Sequence, residues 1–195
     1  GVRNNGTFVL QDAETTLAER LTSAGYRSGA VIAAYPLQSR YGLAQGFEIF
    51  DQRLRNGPGD EKRAFSIHFN ERGAKEVTDR ALDVWARLGR GPRFLWVHYF
   101  DAHAPYAAPE PWGSAHSAHP YDGEIAYVDA EVGRLLERIE HDAPDAVLVV
   151  ASDHGEGLGE HGEQTHGVFV CQSTVRVPLL IVAPGRWPKG ARITE

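Results

Sequence analysis

The feature that most constrains the fold is an apolar run at residues 147–151 that ends abruptly in polar residues. The run reads Val-Leu-Val-Val-Ala and is followed at once by Ser152, Asp153, His154 and Gly155. A short run rich in valine predicts a strand buried on both faces of a parallel sheet. Open α/β sheets bind ligands outside the carboxyl ends of their strands, so Asp153 and His154 are predicted to lie where the chemistry occurs.

Helical and strand patterns alternate along the chain. Apolar residues at helical spacing form three stripes, and short apolar or aromatic runs lie between them. This alternation predicts an α/β fold with a largely parallel sheet, with residues 1–195 forming one domain. The predicted helices are 14–24, 71–88 and 123–140, the predicted strands are 30–34, 94–100, 146–151 and 177–183, and the segments 35–68 and 107–120 are predicted to be irregular.

Several residues are placed to begin or end the predicted helices. Thr16 and Glu19 have the spacing of a capping box. Asn70 and Asp122 are predicted N-caps, and Gly89 is a predicted C-terminal stop.

Charge and cysteine content exclude some classes of protein. The chain has 20 basic and 26 acidic residues, a formal net charge of -6, so a nucleic-acid-binding surface is not expected. The single cysteine, Cys171, excludes an internal disulfide framework and a cysteine-rich zinc site. No stretch approaches the roughly 18 apolar residues of a membrane helix, so no membrane segment is predicted in this chain.

Asp153 and His154 are the predicted metal ligands. A carboxylate oxygen and an imidazole nitrogen can both bind a divalent cation, although an open catalytic metal usually has at least three protein ligands. The alternative is local, with Asp153 capping the following turn through Asx hydrogen bonds and His154 packed beside it. Residue chemistry alone leaves both interpretations open.

Eight of the nine histidines lie between His98 and His166, and three of them are candidate site residues besides His154. His103 follows a predicted strand and is expected at the same sheet edge as Asp153, where it would contact the substrate. His161 and His166 lie in a glycine-rich loop, and either could bind metal or an anionic substrate oxygen. His98 is expected to be a hydrogen-bonded core residue, and the expected surface histidines are His68, His116, His119 and His141.

In combination, these motifs resemble the sulfatases of the alkaline phosphatase superfamily. The resemblance implies an α/β/α sandwich with the alkaline phosphatase-like fold, of which this chain would form only a part. It covers nearly the whole chain. The matching segments are 16–21 (TLAERL), 24–26 (AGY), 42–47 (GLAQGF), 98–106 (HYFDAHAPY), 121–129 (YDGEIAYVD), 152–162 (SDHGEGLGEHG), 165–167 (THG) and 176–185 (RVPLLIVAPG).

The resemblance also implies roles for the candidate residues. Asp153 and His154 would be metal ligands, while His103 and His166 would hold the sulfate or phosphate oxygens and assist the leaving group. His166 falls roughly where arylsulfatases place a sulfate-contacting lysine. Attack by an enzyme side chain would give a covalent sulfo- or phospho-enzyme that water resolves.

One departure from the family pattern concerns the metal and the substrate. Arylsulfatases usually carry Asp-Asn where this chain has Asp153-His154. An imidazole favours zinc or manganese, whereas the oxygen ligands of Asp-Asn suit calcium, which is the alternative metal. Asp-His is also the pattern of the superfamily's phosphodiesterases and its phosphoethanolamine or glycerol-phosphate transferases, so a phosphate ester is the alternative substrate.

A second departure concerns the nucleophile. The family's first metal-binding aspartate and its nucleophilic Cys, Ser or Thr lie upstream of the family position that Gly1 matches. The chain also stops before the family's C-terminal subdomain. We therefore expect a central fragment that is inactive by itself. A non-catalytic, anion-binding relic is the alternative. The family is often periplasmic, exported or membrane-anchored, and the sequence does not choose among these compartments.

Overall fold

The structure, a computed structural model, describes residues 8–54, 71–187 and 190–193. The chain forms two compact units, Gly1–Leu135 and Leu136–Glu195. In chain order the elements are α1 (Leu17–Ser23), β1 (Arg27–Val31), two short 3₁₀ helices (Tyr35–Leu37 and Ser39–Tyr41), β2 (Ile49–Asp51), α2 (Ala74–Leu88), β3 (Arg93–Val97), α3 (Trp112–Ala115), α4 (Pro120–Asp142), β4 (Leu148–Ala151), α5 (Gln172–Val175) and β5 (Leu179–Val182).

The first unit is built on a three-stranded parallel sheet in the order β2-β1-β3. In the central strand, Ala30 pairs with Phe50 on one side and with Trp96 on the other. Ala30 is completely buried. The aliphatic run predicted at 30–34 is therefore buried as expected, although the strand itself begins and ends three residues earlier.

Helix α2 packs closely against β1. Its apolar stripe is inaccessible to solvent, as its periodicity predicts (Ala74, Val77, Ala81, Val84 and Leu88). A Cβ atom added at Gly29 of β1 would lie 2.5 Å from Val84 Cγ1. The absence of a side chain at Gly29 is therefore what allows the helix to approach the sheet.

The predicted helix termini have mixed outcomes. The capping box of α1 is confirmed, since Glu19 N–H donates to Thr16 Oγ1 and Thr16 N–H donates to the Glu19 carboxylate. Gly89 ends α2 as predicted, in a conformation with φ 70°. The N-cap of α2 is Gly73 rather than Asn70, which lies outside the described residues. Helix α4 begins at Pro120, so Asp122 is in its first turn, where its negative charge favours the helix dipole.

Strand β2 lies within the segment 35–68 that was predicted to be irregular, and it ends in a buried ion pair. Arg72 Nη2 lies 2.5 Å from Asp51 Oδ1, and Arg53 Nη2 lies 2.5 Å from Asp51 Oδ2. Asp51 and Arg72 are both buried. Burial raises the pKa of Asp51, but the hydrogen bonds from Arg53 and Arg72 outweigh it and lower this pKa to about 2.

The second unit contains a two-stranded sheet in which β4 and β5 pair antiparallel, with Val149 opposite Ile181. The strand predicted at 146–151 is present, but the prediction that it is buried in a parallel sheet is wrong. Val149 is 61% exposed and Leu179 is 64% exposed. Beyond the end of α4, the elements described in this unit are these strands and the four-residue α5, which are too few to cover both faces of a sheet.

The described α-helices include two short ones that the sequence did not predict. The four-residue α3 lies in the proline-rich segment 107–120, and the four-residue α5 precedes β5. Among the residues that the structure describes, no helix is long and apolar enough to cross a membrane.

Candidate active site

The loop after β4 carries four of the candidate residues, and glycines set its backbone path. Gly155 N–H donates to Thr174 O at 2.9 Å, and Gly157 N–H donates to Thr165 O at 3.0 Å. A Cβ atom at Gly157 would collide with Thr165 O, and one at Gly155 would collide with Ser173 O. The loop can therefore fold back on itself only where these side chains are absent.

Asp153 and His154 present ligand atoms at a spacing that suits one cation. His154 Nδ1 lies 2.7 Å from Gly155 O. A carbonyl oxygen only accepts, so Nδ1 carries the proton and the neutral ring has its lone pair on Nε2. His154 Nε2 lies 3.8 Å from Asp153 Oδ1. Two ligands of a tetrahedral zinc site are about 3.4 Å apart, so the residues fit a zinc-like ion with little adjustment.

The local alternative for Asp153 is also visible. The backbone N–H of His154 donates to Asp153 Oδ1 at 3.0 Å. The Asp153 side chain is 83% exposed, so its carboxylate is accessible despite this bond. In the part of the chain that the structure describes, no group of three or more His, Cys, Asp or Glu residues is arranged to hold a metal. Asp153 and His154 thus form a two-ligand group.

His166 is held against His154 by a glutamate, Glu156, that is not among the predicted site residues. The two rings lie with their centroids 3.9 Å apart. His166 Nδ1 lies 2.9 Å from Glu156 Oε1, and the Glu156 side chain is only 5% exposed. The carboxylate fixes the ring orientation and places the lone pair of the neutral ring on Nε2. The only signal of this role was the position of Glu156, two residues after His154. His161 is on the same loop and is exposed.

In the first unit, the segment after β3 carries His103. Its Nδ1 lies 2.8 Å from Ala104 O, so the neutral ring again has its lone pair on Nε2. The ring stacks on Phe100 with a centroid separation of 4.2 Å. Local contacts therefore hold this imidazole in one orientation.

Three carboxylates of the first unit, Asp101, Glu124 and Glu71, interact electrostatically near this segment. Asp101 Oδ2 accepts a hydrogen bond from Ala74 N–H at 2.5 Å, at the start of α2. Glu124, from α4, accepts hydrogen bonds from the N–H groups of His103 and Ala107. Burial raises the pKa of Asp101 and that of Glu124. Desolvation and the negative charges of Asp101 and Glu124 raise the pKa of Glu71 to about 7.

The remaining histidines are not part of these groups. His98 is half-buried, its N–H donates to Val31 O at 2.9 Å, and its Nδ1 accepts from Ala33 N–H at 3.4 Å, as expected of a hydrogen-bonded core residue. His119 and His141 are exposed as predicted, whereas His116 is half-buried. His68 lies outside the described residues.

Comparison with solved structures identifies the fold. The structure of Ps i-CgsB matches 95% of this chain with a TM-score of 0.69 and 17% identity. A Vibrio parahaemolyticus protein of the alkaline phosphatase superfamily matches 87% of it with a TM-score of 0.57 and 19% identity. The C-terminal periplasmic domain of Escherichia coli EcEptC, in complex with Zn, matches 89% with a TM-score of 0.65 and 17% identity. The prediction of an α/β fold of the alkaline phosphatase superfamily is confirmed.

Sequence comparison then gives the family. The model of the sulfatase family matches residues 2–195, and the chain belongs to that family. Human iduronate 2-sulfatase is 38% identical over 68 residues, which are 34% of this chain and 12% of that protein. Choline-sulfatase of Rhizobium meliloti (strain 1021) is 35% identical over 74 residues, 37% of this chain and 14% of that protein. The chain spans about half the length of Ps i-CgsB and of the EcEptC domain.

Proposed function

We propose that the intact protein is a metal-dependent sulfuric ester hydrolase. The observation that carries this proposal is the pairing of Asp153 Oδ1 with His154 Nε2 at 3.8 Å, with Nδ1 of the same ring already used by Gly155 O. Membership of the sulfatase family and the partial similarity to two proteins named as sulfatases support sulfate as the ester. The roles of the individual residues follow from their chemistry.

Asp153 and His154 would hold the metal, and zinc or manganese suits an imidazole ligand better than calcium does. A bound divalent cation would neutralise the anionic ester and activate the nucleophile. Further ligands would have to come from outside the described residues. The similarity to a domain whose structure is in complex with Zn supports the choice of zinc.

His103 and His166 would act on the oxygens of the ester. Each ring has Nδ1 committed to an acceptor, Ala104 O or the Glu156 carboxylate, so each would meet the substrate through Nε2. A protonated ring can donate from Nε2 to a sulfuryl oxygen or to the departing oxygen, which lowers the cost of the charge that develops there. His161 is a further candidate for binding a substrate oxygen.

The nucleophile would lie outside this chain, where its attack would form a covalent intermediate that water resolves. Cys171 and Ser152 have no base arranged to activate them among the contacts described, and Ser152 Oγ donates to the carbonyl oxygen of His154. We therefore propose that these 195 residues by themselves do not turn over substrate.

The test is a comparison of the intact protein with this chain on an aryl sulfate and on an aryl phosphodiester. Turnover of the sulfate by the intact protein, and its loss in His103→Ala and Asp153→Ala, is the expected result. Steady turnover by the 195-residue chain alone would overturn the proposal that the nucleophile lies elsewhere. Absence of turnover on either substrate would indicate a non-catalytic anion-binding domain.

Hydrolysis or transfer of a phosphate ester is the second candidate. The imidazole of His154 favours it, because an imidazole rather than an amide stands beside Asp153. A phosphodiester turned over at least tenfold more efficiently than a sulfate ester would replace sulfate with phosphate in the proposal.

A further inference from the structure

We propose that Glu124 is a positioning residue: it orients His103 by holding the backbone of residues 103–107 through hydrogen bonds. This inference rests on the proposed function, since it assigns Glu124 a role in the reaction only through His103. It concerns contacts within the first unit alone.

Two hydrogen bonds carry the argument. Glu124 Oε2 accepts from His103 N–H at 3.0 Å, and Glu124 Oε1 accepts from Ala107 N–H at 2.7 Å. The two oxygens of one carboxylate thus hold two backbone positions four residues apart. Because the acceptor is ionised, each bond is stronger than one between neutral groups.

The burial of Glu124 makes this contact specific. The residue is only 5% exposed, although it is a carboxylate in the second turn of α4. A buried carboxylate is costly unless hydrogen bonds compensate for its lost hydration, and these two backbone N–H groups supply that compensation. Removing the carboxylate would leave two N–H groups without the acceptor that now holds them.

The backbone fastened by Glu124 is rigidly connected to the His103 ring. Nδ1 of the ring donates to the next carbonyl, Ala104 O, at 2.8 Å, and its face stacks on Phe100. These contacts fix the ring relative to its own backbone, so a shift of the backbone must move Nε2. A misplacement of about 1 Å can reduce catalysis by about a hundredfold.

The experiment uses the intact protein and steady-state kinetics on its preferred ester. We expect Glu124→Ala to lower kcat/KM by roughly 10- to 100-fold, mainly through kcat. Glu124→Gln should lower it less, because the amide keeps one oxygen acceptor for one of the two N–H groups. The matched control is Glu131→Gln, at another buried carboxylate of α4, whose Oε2 accepts hydrogen bonds from Arg134. It should leave kcat/KM within about threefold of the wild type.

A double-mutant cycle separates positioning from general support of the fold. If Glu124 acts through His103, the combination of Glu124→Ala with His103→Ala should be no slower than His103→Ala alone. Independent, multiplicative losses would overturn the proposal. If Glu124→Ala does not fold, the same cycle with Glu124→Gln decides the question.

The outcomes distinguish the two proposals. Loss of activity in His103→Ala with wild-type kinetics in both Glu124 variants overturns the role of Glu124 and leaves the proposed function intact. Wild-type activity in His103→Ala overturns the proposed role of His103 and, with it, this inference.

Discussion

The ring of His166 lies against the ring of His154, with their centroids 3.9 Å apart, while each ring uses its Nδ1 atom for a separate oxygen acceptor. A proposed metal ligand and a proposed substrate-binding group are thereby held side by side in the second unit. Because the acceptors Gly155 O and Glu156 Oε1 determine which nitrogen carries the proton, both neutral rings have their lone pairs on Nε2.

The first prediction concerns metal content. We expect the intact protein to contain zinc or manganese, and Asp153→Ala and His154→Ala each to lose most of it, because a metal site that lacks one ligand binds far more weakly. Elemental analysis after exhaustive dialysis measures this. Asp145→Ala, at an exposed aspartate of the same unit, is the control and should retain the metal. A protein that holds calcium alone would contradict the preference drawn from the imidazole.

The second prediction concerns Glu156. Glu156→Ala removes the partner of His166 Nδ1, and the loss of such a supporting contact typically costs 10- to 100-fold in activity or metal affinity. We therefore expect kcat/KM to fall by at least about tenfold in steady-state assays of the intact protein. Glu160→Ala, on the same loop, should have little effect, since the carboxylate of Glu160 is exposed and accepts from the backbone N–H groups of Glu160 itself and of Leu158. Equal activity in the two variants would show that the ring needs no support from Glu156.

The third prediction contrasts two glycines. Gly157→Ala should destabilise the protein by roughly 1–3 kcal/mol, because the new methyl group would collide with the Thr165 carbonyl oxygen. Gly133→Ala should instead stabilise it by about 0.5–1 kcal/mol, because Gly133 is within α4 and its Cβ would meet nothing within 4 Å. Thermal unfolding of both variants checks the opposite signs, and a stable Gly157→Ala would show that the loop takes another path.

The fourth prediction concerns pH and Asp51. Its pKa is lowered from 3.8 to about 2, so between these values the unfolded state binds more protons than the folded state. Asp51 therefore contributes about 2 kcal/mol to the free energy of unfolding. This contribution is complete above about pH 4 and is lost as the pH falls to about 2. Urea unfolding of the wild type and of Asp51→Asn at several pH values measures this contribution.

The matched control for this pH dependence is Asp79→Asn. Asp79 pairs with Lys75 and Arg134, but its side chain is 46% exposed, so the substitution should cost less than about 1 kcal/mol. At neutral pH, Asp51→Asn should cost roughly 3 kcal/mol, because it leaves the buried guanidinium of Arg72 without its counter-charge. A difference from the wild type that is the same at pH 2 and pH 7 would contradict the assignment.

The sequence predicted the elements and the fold class well because both depend on local patterns. The stripe of α2, the capping box at Thr16 and Glu19 and the strand before His98 all follow from residue type and spacing. The three-residue β2 was missed because it is too short to show a period. The burial of β4 was mispredicted because an apolar run indicates a strand and does not specify which elements will cover it.

The residues of the candidate site could be predicted only in part from the sequence. Asp153, His154 and His166 were candidates from the motif alone, and the structure brings their side chains or rings together within one loop. Glu156 and Glu124 were not singled out, because their roles depend on hydrogen bonds formed across 10, 17 and 21 residues of sequence. The metal-binding roles of Asp153 and His154 and the catalytic roles of His103 and His166 stay predictions. The single domain predicted for residues 1–195 also stays a prediction.

The exposed strands β4 and β5 have a consequence for handling the protein. Valine, leucine and isoleucine side chains on this two-stranded ribbon are open to water, with exposures from 38% at Val150 to 64% at Leu179. Ribbons of this composition template further strands edge to edge and are prone to self-association. When this chain is expressed as a separate polypeptide, the exposed strand β4, which precedes the proposed metal ligands, will therefore promote self-association. Dilute, low-salt conditions will be needed to keep the chain monomeric.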